Sequence, residues 1–213
     1  MSYVSITDVK ISHAESPFLS NFEFEITLEC LAELKEDLEF KVIYVSSATN
    51  KSKDQTLESV SVGPIPIGVN RFVLEAPPPN PATIDPSDLV GVTVVSLQVS
   101  YMNCEFVRIG YLVNNEYNDP VLQEEPPSVP DMSKLVRNIL ADKPRVTRFH
   151  INWENPQVIE YPDNMDEDQA MSDHDMVAEH QQALAAQAAA AQAAAATAAA
   201  AGPSGQAMEV GVS

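Results

Sequence analysis

Nine residues, FEFEITLEC at Phe22–Cys30, constrain this chain more than any other stretch. Phe22, Phe24, Ile26, Leu28 and Cys30 fall on one side of an extended backbone, and Glu23, Glu25, Thr27 and Glu29 on the other. A helix would scatter those apolar residues around its surface, whereas a strand buries them all on one face. Strand signals recur in YVSITDVKI, FKVIYVS, LESVSVG, VNRFVLEA, VGVTVVSLQVSY, CEFVRIGYLV and RVTRFHINW. Turn-forming and Pro-rich connectors separate them, among them GPIPIG, APPPNPATIDPSD and NDPVLQEEPPSVPD. Short strands at this spacing predict an all-β sandwich. Cys30 and Cys104 have no Trp between them, so an antibody-type disulfide is not expected, though an immunoglobulin-like architecture stays open. Apolar residues Met132, Leu135, Val136, Ile139 and Leu140 recur at helical spacing. They predict a helix in DMSKLVRNILADKP, capped at Asp131 or Ser133 and stopped by Pro144. LAELKED predicts a further short helical turn.

The composition changes where the strand signals end. The 213 residues carry a net charge of −19. Residues 1–155 hold all 12 Lys and Arg against 22 acids, net −10, while 156–213 hold 9 acids and no Lys or Arg. The first part is long enough for one domain with its own core. The second, residues 156–213, reads as an acidic and then Ala-rich low-complexity tail, disordered or transiently helical. Acidity argues against direct nucleic-acid binding, because phosphates repel it, and for a basic protein partner. MSYVSITDVKIS has no signal-peptide pattern, and no window is apolar enough to span a membrane. Two cysteines without a framework suggest reduced thiols in the cytosol or nucleus. His13, His150, His174 and His180 lack metal-ligand spacing, and no phosphate loop, nucleophile elbow or paired-Cys motif occurs. No catalytic, cofactor-binding or metal-ligating residue is expected, and the chain is not read as an enzyme.

Two features point to binding. In VGVTVVSLQVSY, Val95, Leu97, Val99 and Tyr101 make the inward face, which leaves Val92 and Val94 facing outward beside Ser96, Gln98 and Ser100. A two-residue turn at Met102-Asn103 would set Tyr111 opposite Val94, and a bulge at Gly110 would instead bring Leu112 or Arg108 to that face. In PRVTRFHINWEN, Phe149, Ile151 and Trp153 read as a core strand. Pro144 to Thr147 read as a short exposed edge of the kind that accepts an added strand.

FEITLECLAELKEDLEFKVIYV, DQTLESVSVGPIPIG, VGVTVV, EFVRIGYLVNNEY and KLVRNILADKPRVTRFHINWE closely resemble the anti-silencing function family of histone chaperones, across residues 1–155. The resemblance implies an elongated immunoglobulin-like β-sandwich with short helices in its connections, no catalysis and no cofactor. It implies a monomer that binds one histone H3–H4 dimer, blocks tetramer formation and passes histones on for nucleosome assembly and disassembly. The location implied is the nucleus, with a cytoplasmic pool. By resemblance, Val94 is the centre of the patch for histone H3, with Val45, Val92, Tyr111 and Leu112 around it, Asp54 and Asp88 as acidic partners and Arg108 as a polar contact. The H4 tail would add as a strand along Pro144, Arg145, Val146 and Thr147, with an aromatic anchor near Ile6, Leu140 and Pro144. Glu36, Asp37 and Glu39, with Val60, Val62, Pro64 and Phe72, would dock basic peptides of HIRA-type or chromatin-assembly-factor-type chaperones.

Some residues depart from the family pattern. Ser96 stands where a bulky apolar residue is usual, Leu112 replaces an aromatic, Lys51 and Lys53 flank Asp54, and Leu28 and Phe40 replace larger aromatics. The competing reading is a strand-adding peptide adaptor with no histone specificity. The tail is expected to be regulatory, with Ser172 in MSDHD a possible phosphate acceptor.

Overall fold

The computed structural model describes residues 2–125, 127, 129–156 and 172–200, with side chains in the last helix described to residue 187. The strands are β1 (Val4–Ser12), β2 (Glu15–Pro17), β3 (Phe22–Cys30), β4 (Leu38–Tyr44), β5 (Gln55–Val62), β6 (Gly68–Ala76), β7 (Gly91–Tyr101), β8 (Cys104–Tyr117), β9 (Leu135–Ile139) and β10 (Arg145–Arg148). Helices α1 (Pro86–Leu89) and α2 (Pro120–Glu124) are short connections, and α3 (Asp173–Ala200) follows the sandwich. One sheet runs β1-β3-β6. The other runs β2-β9-β8-β7-β4-β5, with β10 alongside β8. Every pairing is antiparallel.

The alternation in β3 does what its pattern requires. Phe22, Phe24, Ile26, Leu28 and Cys30 are buried, and they meet Leu38, Phe40 and Val42 of β4 and Val95, Leu97 and Val99 of β7 in one core. Cys30 and Cys104 are free thiols. This is the immunoglobulin-like β-sandwich that the pattern and the resemblance led us to expect.

Three local expectations are corrected. Residues 131–140 are not a helix. Asp131 caps a single 3-10 turn at Met132–Lys134, and Leu135–Ile139 then becomes β9, hydrogen-bonded to β8 and β2. The buried residues are Leu135, Arg137 and Ile139, a period of two whose middle member is a cation. Arg137 is only 2% exposed. It donates to the carbonyls of Ser20 at 2.6 Å and Asn21 at 2.5 Å, and lies 3.6 Å over the Phe22 ring. LAELKED holds no helix either. It is an irregular turn in which the Lys35 N–H donates to the Tyr101 hydroxyl. Phe149–Trp153 do not continue β10 as a strand. The Phe149 N–H still reaches the Phe106 carbonyl at 2.9 Å, after which the ladder ends. Trp153 is held by aromatic stacking instead, its ring centroid 5.7 Å from Tyr3, 5.5 Å from Tyr101 and 4.9 Å from Phe106.

The chain forms two compact units, Met1–Ala178 and Glu179–Ser213. The first holds the sandwich and the opening of α3. Within the second, α3 continues to Ala200. Residues 157–171 and 201–213, on which much of the tail expectation falls, lie outside the described residues.

Candidate histone-binding surface

The hairpin between β7 and β8 turns at Met102 and Asn103, both with positive φ, as a tight two-residue turn demands. A shift in register between Val99 and Ser100 then resets the pairing. Val94 therefore faces Leu112, Ser96 faces Gly110 and Gln98 faces Arg108. Tyr111 pairs with Val95 and points inward, buried and tilted against Phe24. It belongs to the core and not to the outer patch, because the register shift moves it to the other face.

The outer face of β7 and β8 carries a small apolar cluster separate from the main core. Val45, Val94, Met176 and Val177 are buried in it, with Ala48 and Leu112 packed alongside. Val45 is fixed there because its N–H donates to the Val94 carbonyl at 3.0 Å and its own carbonyl accepts from the Thr93 hydroxyl. Val92 is half-buried one step along the same face. Asp54 follows the 3-10 turn Lys51–Lys53 and is half-buried, while Asp88 sits half-buried on α1 where the chain enters β7. Lys53 pairs with Asp85, one turn ahead of Asp88. Arg108 grips Glu105 through two hydrogen bonds of 2.8 and 2.7 Å. Those bonds and the nearby charges of Glu105 and Asp173 hold the guanidinium above its usual range, against the effect of its burial.

Met176 and Val177 come from the far end of the sequence. Ser172 opens α3 with a capping box: its N–H and hydroxyl donate to Asp175 Oδ2, and the Asp175 N–H returns to Ser172 Oγ. Those bonds hold the Asp175 carboxyl below its ordinary range. The first turns of the helix lie on the patch. His174 Nε2 is 2.9 Å from Asp54 Oδ2, and its Nδ1 is 3.2 Å from the Ala48 carbonyl. Both neighbours are acceptors, so both contacts are hydrogen bonds only when the ring carries two N–H groups. Beneath the helix, Asp54 Oδ1 and Ser96 Oγ are buried with no hydrogen-bond partner. Each such orphan costs about 1–3 kcal/mol. Met176, Val177 and His174 were not among the residues expected at this surface. The signal for them is the Ser-x-x-Asp box before Met-Val, which marks a helix start inside the acidic tail.

The second expected site adjoins the first through β8. Arg145 of β10 pairs with Gly110, and Thr147 with Arg108. β10 has a single sheet neighbour, β8, among the described strands, and Pro144 and Val146 are exposed. Leu140 is tied to the patch, its N–H donating to the Leu112 carbonyl at 2.8 Å. Ile6 stands on β1 in the other sheet, half-buried against the main core.

The third group gathers where β5, the edge of the larger sheet, approaches β6, the edge of the smaller. Glu39 lies opposite Ser61, accepts from the Ser59 hydroxyl at 3.2 Å and pairs with Lys41. Asp37 closes over Gly63, where a Cβ would lie 1.8 Å from its Oδ1, so a side chain there would displace the carboxylate. Glu36, Asp37 and Pro64 are exposed. Val60, Val62 and Phe72 are half-buried against the core, and Phe72 meets Phe40 edge-on with centroids 5.0 Å apart.

Among the described residues no cluster of His, Cys, Asp or Glu could hold a metal. No described helix is long and apolar enough to cross a membrane. Residues 1–154 match the family described as ASF1 like histone chaperone. The chain is 53% identical over 167 residues to mouse histone chaperone ASF1B, covering 78% of this chain and 83% of that protein. It is 54% identical over 153 residues to the probable histone chaperone ASF1A of Arabidopsis thaliana, 72% of this chain and 78% of that one. It is 49% identical over 175 residues to histone chaperone asf1 of Emericella nidulans, 81% of this chain but 63% of that longer protein. All three are named as chaperones and none as an enzyme.

Proposed function

The chain belongs to the ASF1-like family of histone chaperones, and we propose that it binds one histone H3–H4 dimer through the outer face of β7 and β8. The observation that carries this reading is the apolar hollow of Val45, Val94 and Leu112, flanked by Asp54 and Arg108, which already accepts a helix. An amphipathic histone helix would enter the same hollow, with its basic residues directed to Asp54 and Asp88. Seating that helix would occupy the histone face that otherwise pairs two dimers, so tetramer formation would be blocked. The H4 tail would extend the sheet along Pro144–Thr147. Because β10 and the hollow share β8, both histones would be read from one strand. Basic peptides of HIRA-type or chromatin-assembly-factor-type chaperones would dock at Glu36, Asp37 and Glu39, away from the histone face, so handover could proceed with histone in place. Such work in nucleosome assembly and disassembly belongs in the nucleus.

Val94→Arg tests the site. Forcing an unpaired charge into the hollow is unfavourable, yet the residue lies outside the main core. H3–H4 pull-down should be lost, with the melting temperature moving less than about 4 °C. Retained binding would refute the assignment. Titration with H3–H4 and with unrelated basic peptides separates a chaperone from a general adaptor, since equal affinities would mean the latter.

A further inference from the structure

We propose that residues Ser172–Ala178 are the resident occupant of the Val94 hollow, an intramolecular ligand that a histone helix must displace. The competition rests on the function proposed above, whereas the docking itself does not.

The contact is built at several points. Met176 and Val177 are buried with Val45 and Val94. Room for them comes from two small residues that face one another in the ladder, Ser96 and Gly110. A Cβ on Gly110 would approach Met176 Sδ to 3.0 Å and Asp173 Oδ1 to 3.3 Å, so the helix rests on bare backbone. The polar contacts are complementary. His174 sits on Asp54, Asp173 interacts with Arg108, and Asp175 feels Lys51. Lys51 and Ser96, two of the departures from the family pattern, thus lie against the chain's own acidic segment. Unlike the alanine-rich helix beyond it, the segment pairs large apolar residues with a capping box. Only 15 residues, 157–171, separate it from the domain. Covalent linkage to the same chain raises its effective concentration, enough for a weak segment to compete.

The cover is also imperfect. Asp54 Oδ1 and Ser96 Oγ are left without partners beneath it. A ligand that brings an additional donor to Asp54 would satisfy what the segment leaves open, which favours exchange over permanent closure. While the segment is docked, apparent histone affinity falls by the fraction of molecules that are open.

The test uses the full chain. NMR should show nuclear Overhauser contacts between Val177 methyls and those of Val45 and Val94. The double variant Met176→Glu, Val177→Glu should abolish the contact between the His174 ring and Ala48, residues that the substitutions themselves leave in place, and raise affinity for H3–H4 about tenfold. Missing contacts in the unmodified chain would overturn the docking. Contacts that vanish in the double variant with no gain in affinity would overturn the competition. Adding Val94→Arg to the double variant should abolish histone binding. If binding persists there, the histone-site assignment has failed, while the docking contacts still decide the occupancy by themselves.

Discussion

Tyr44 shows how burial sets the chemistry of single residues. Its hydroxyl accepts from Asn115 Nδ2 at 2.8 Å, but burial outweighs that donor and pushes the phenol up to about 12 from 10.0. Below the unfolded value near 10, the group is protonated in both states and its stabilisation is fully present. Between about 10 and 12 the unfolded chain releases the proton and the folded chain keeps it, so stability falls as pH rises. The loss should be on the order of 2 kcal/mol, and Tyr44→Phe should make the decline shallower in urea midpoints measured from pH 9 to 12, leaving the share of Tyr111, which burial also pushes up to about 12. Equal slopes for the two proteins would reject this cause. Arg137 is the complementary case, a buried cation whose guanidinium burial pulls down to about 10, held by three loop carbonyls and a ring face. Nothing in KLVRNIL marks that arginine as an inward-facing residue, because a charge at a core position needs acceptors contributed by Phe18, Ser20 and Asn21, more than a hundred residues away.

At the scale of elements, alternation was legible and register was not. β3, β4 and β7 bury the residues their patterns select. The partner of Val94 depended on the irregularity at Val99/Ser100, which leaves no trace in residue type and decides that Leu112, not Tyr111, lines the hollow. The apolar residues of β9 fit both periods and Arg137 breaks the shorter one, which is why the pattern predicts a helix there. Phe149–Trp153 close the sandwich through Trp153, beyond the last paired residue of β10. Trp153→Ala removes a buried ring that touches Tyr3, Tyr101 and Phe106, and should cost about 3–5 kcal/mol by chemical denaturation. A loss below about 1 kcal/mol would mean that the aromatic stack contributes little.

For the molecule as a whole, the excess of acid has separate addresses. Exposed Glu36 and Asp37 lie where the chain enters β4, Asp54 borders the Val94 hollow, and Asp173 and Asp175 sit on the segment that covers it. Asp37→Arg should weaken a basic chaperone peptide about tenfold at 0.1 M salt and much less at 0.5 M, since exposed charges are screened. H3–H4 affinity measured in parallel should stay unchanged, and a matching loss there would mean that the surfaces are not independent. The class of fold, the break in composition near Asn155 and the family were legible along the chain, because alternation, charge balance and long motifs are local properties. Which outward residues meet emerged only on folding, since register depends on an irregularity in one hairpin. Only the tertiary structure fills the Val94 hollow with Met176 and Val177, because a contact between residues some eighty positions apart exists only once the backbone has brought them together.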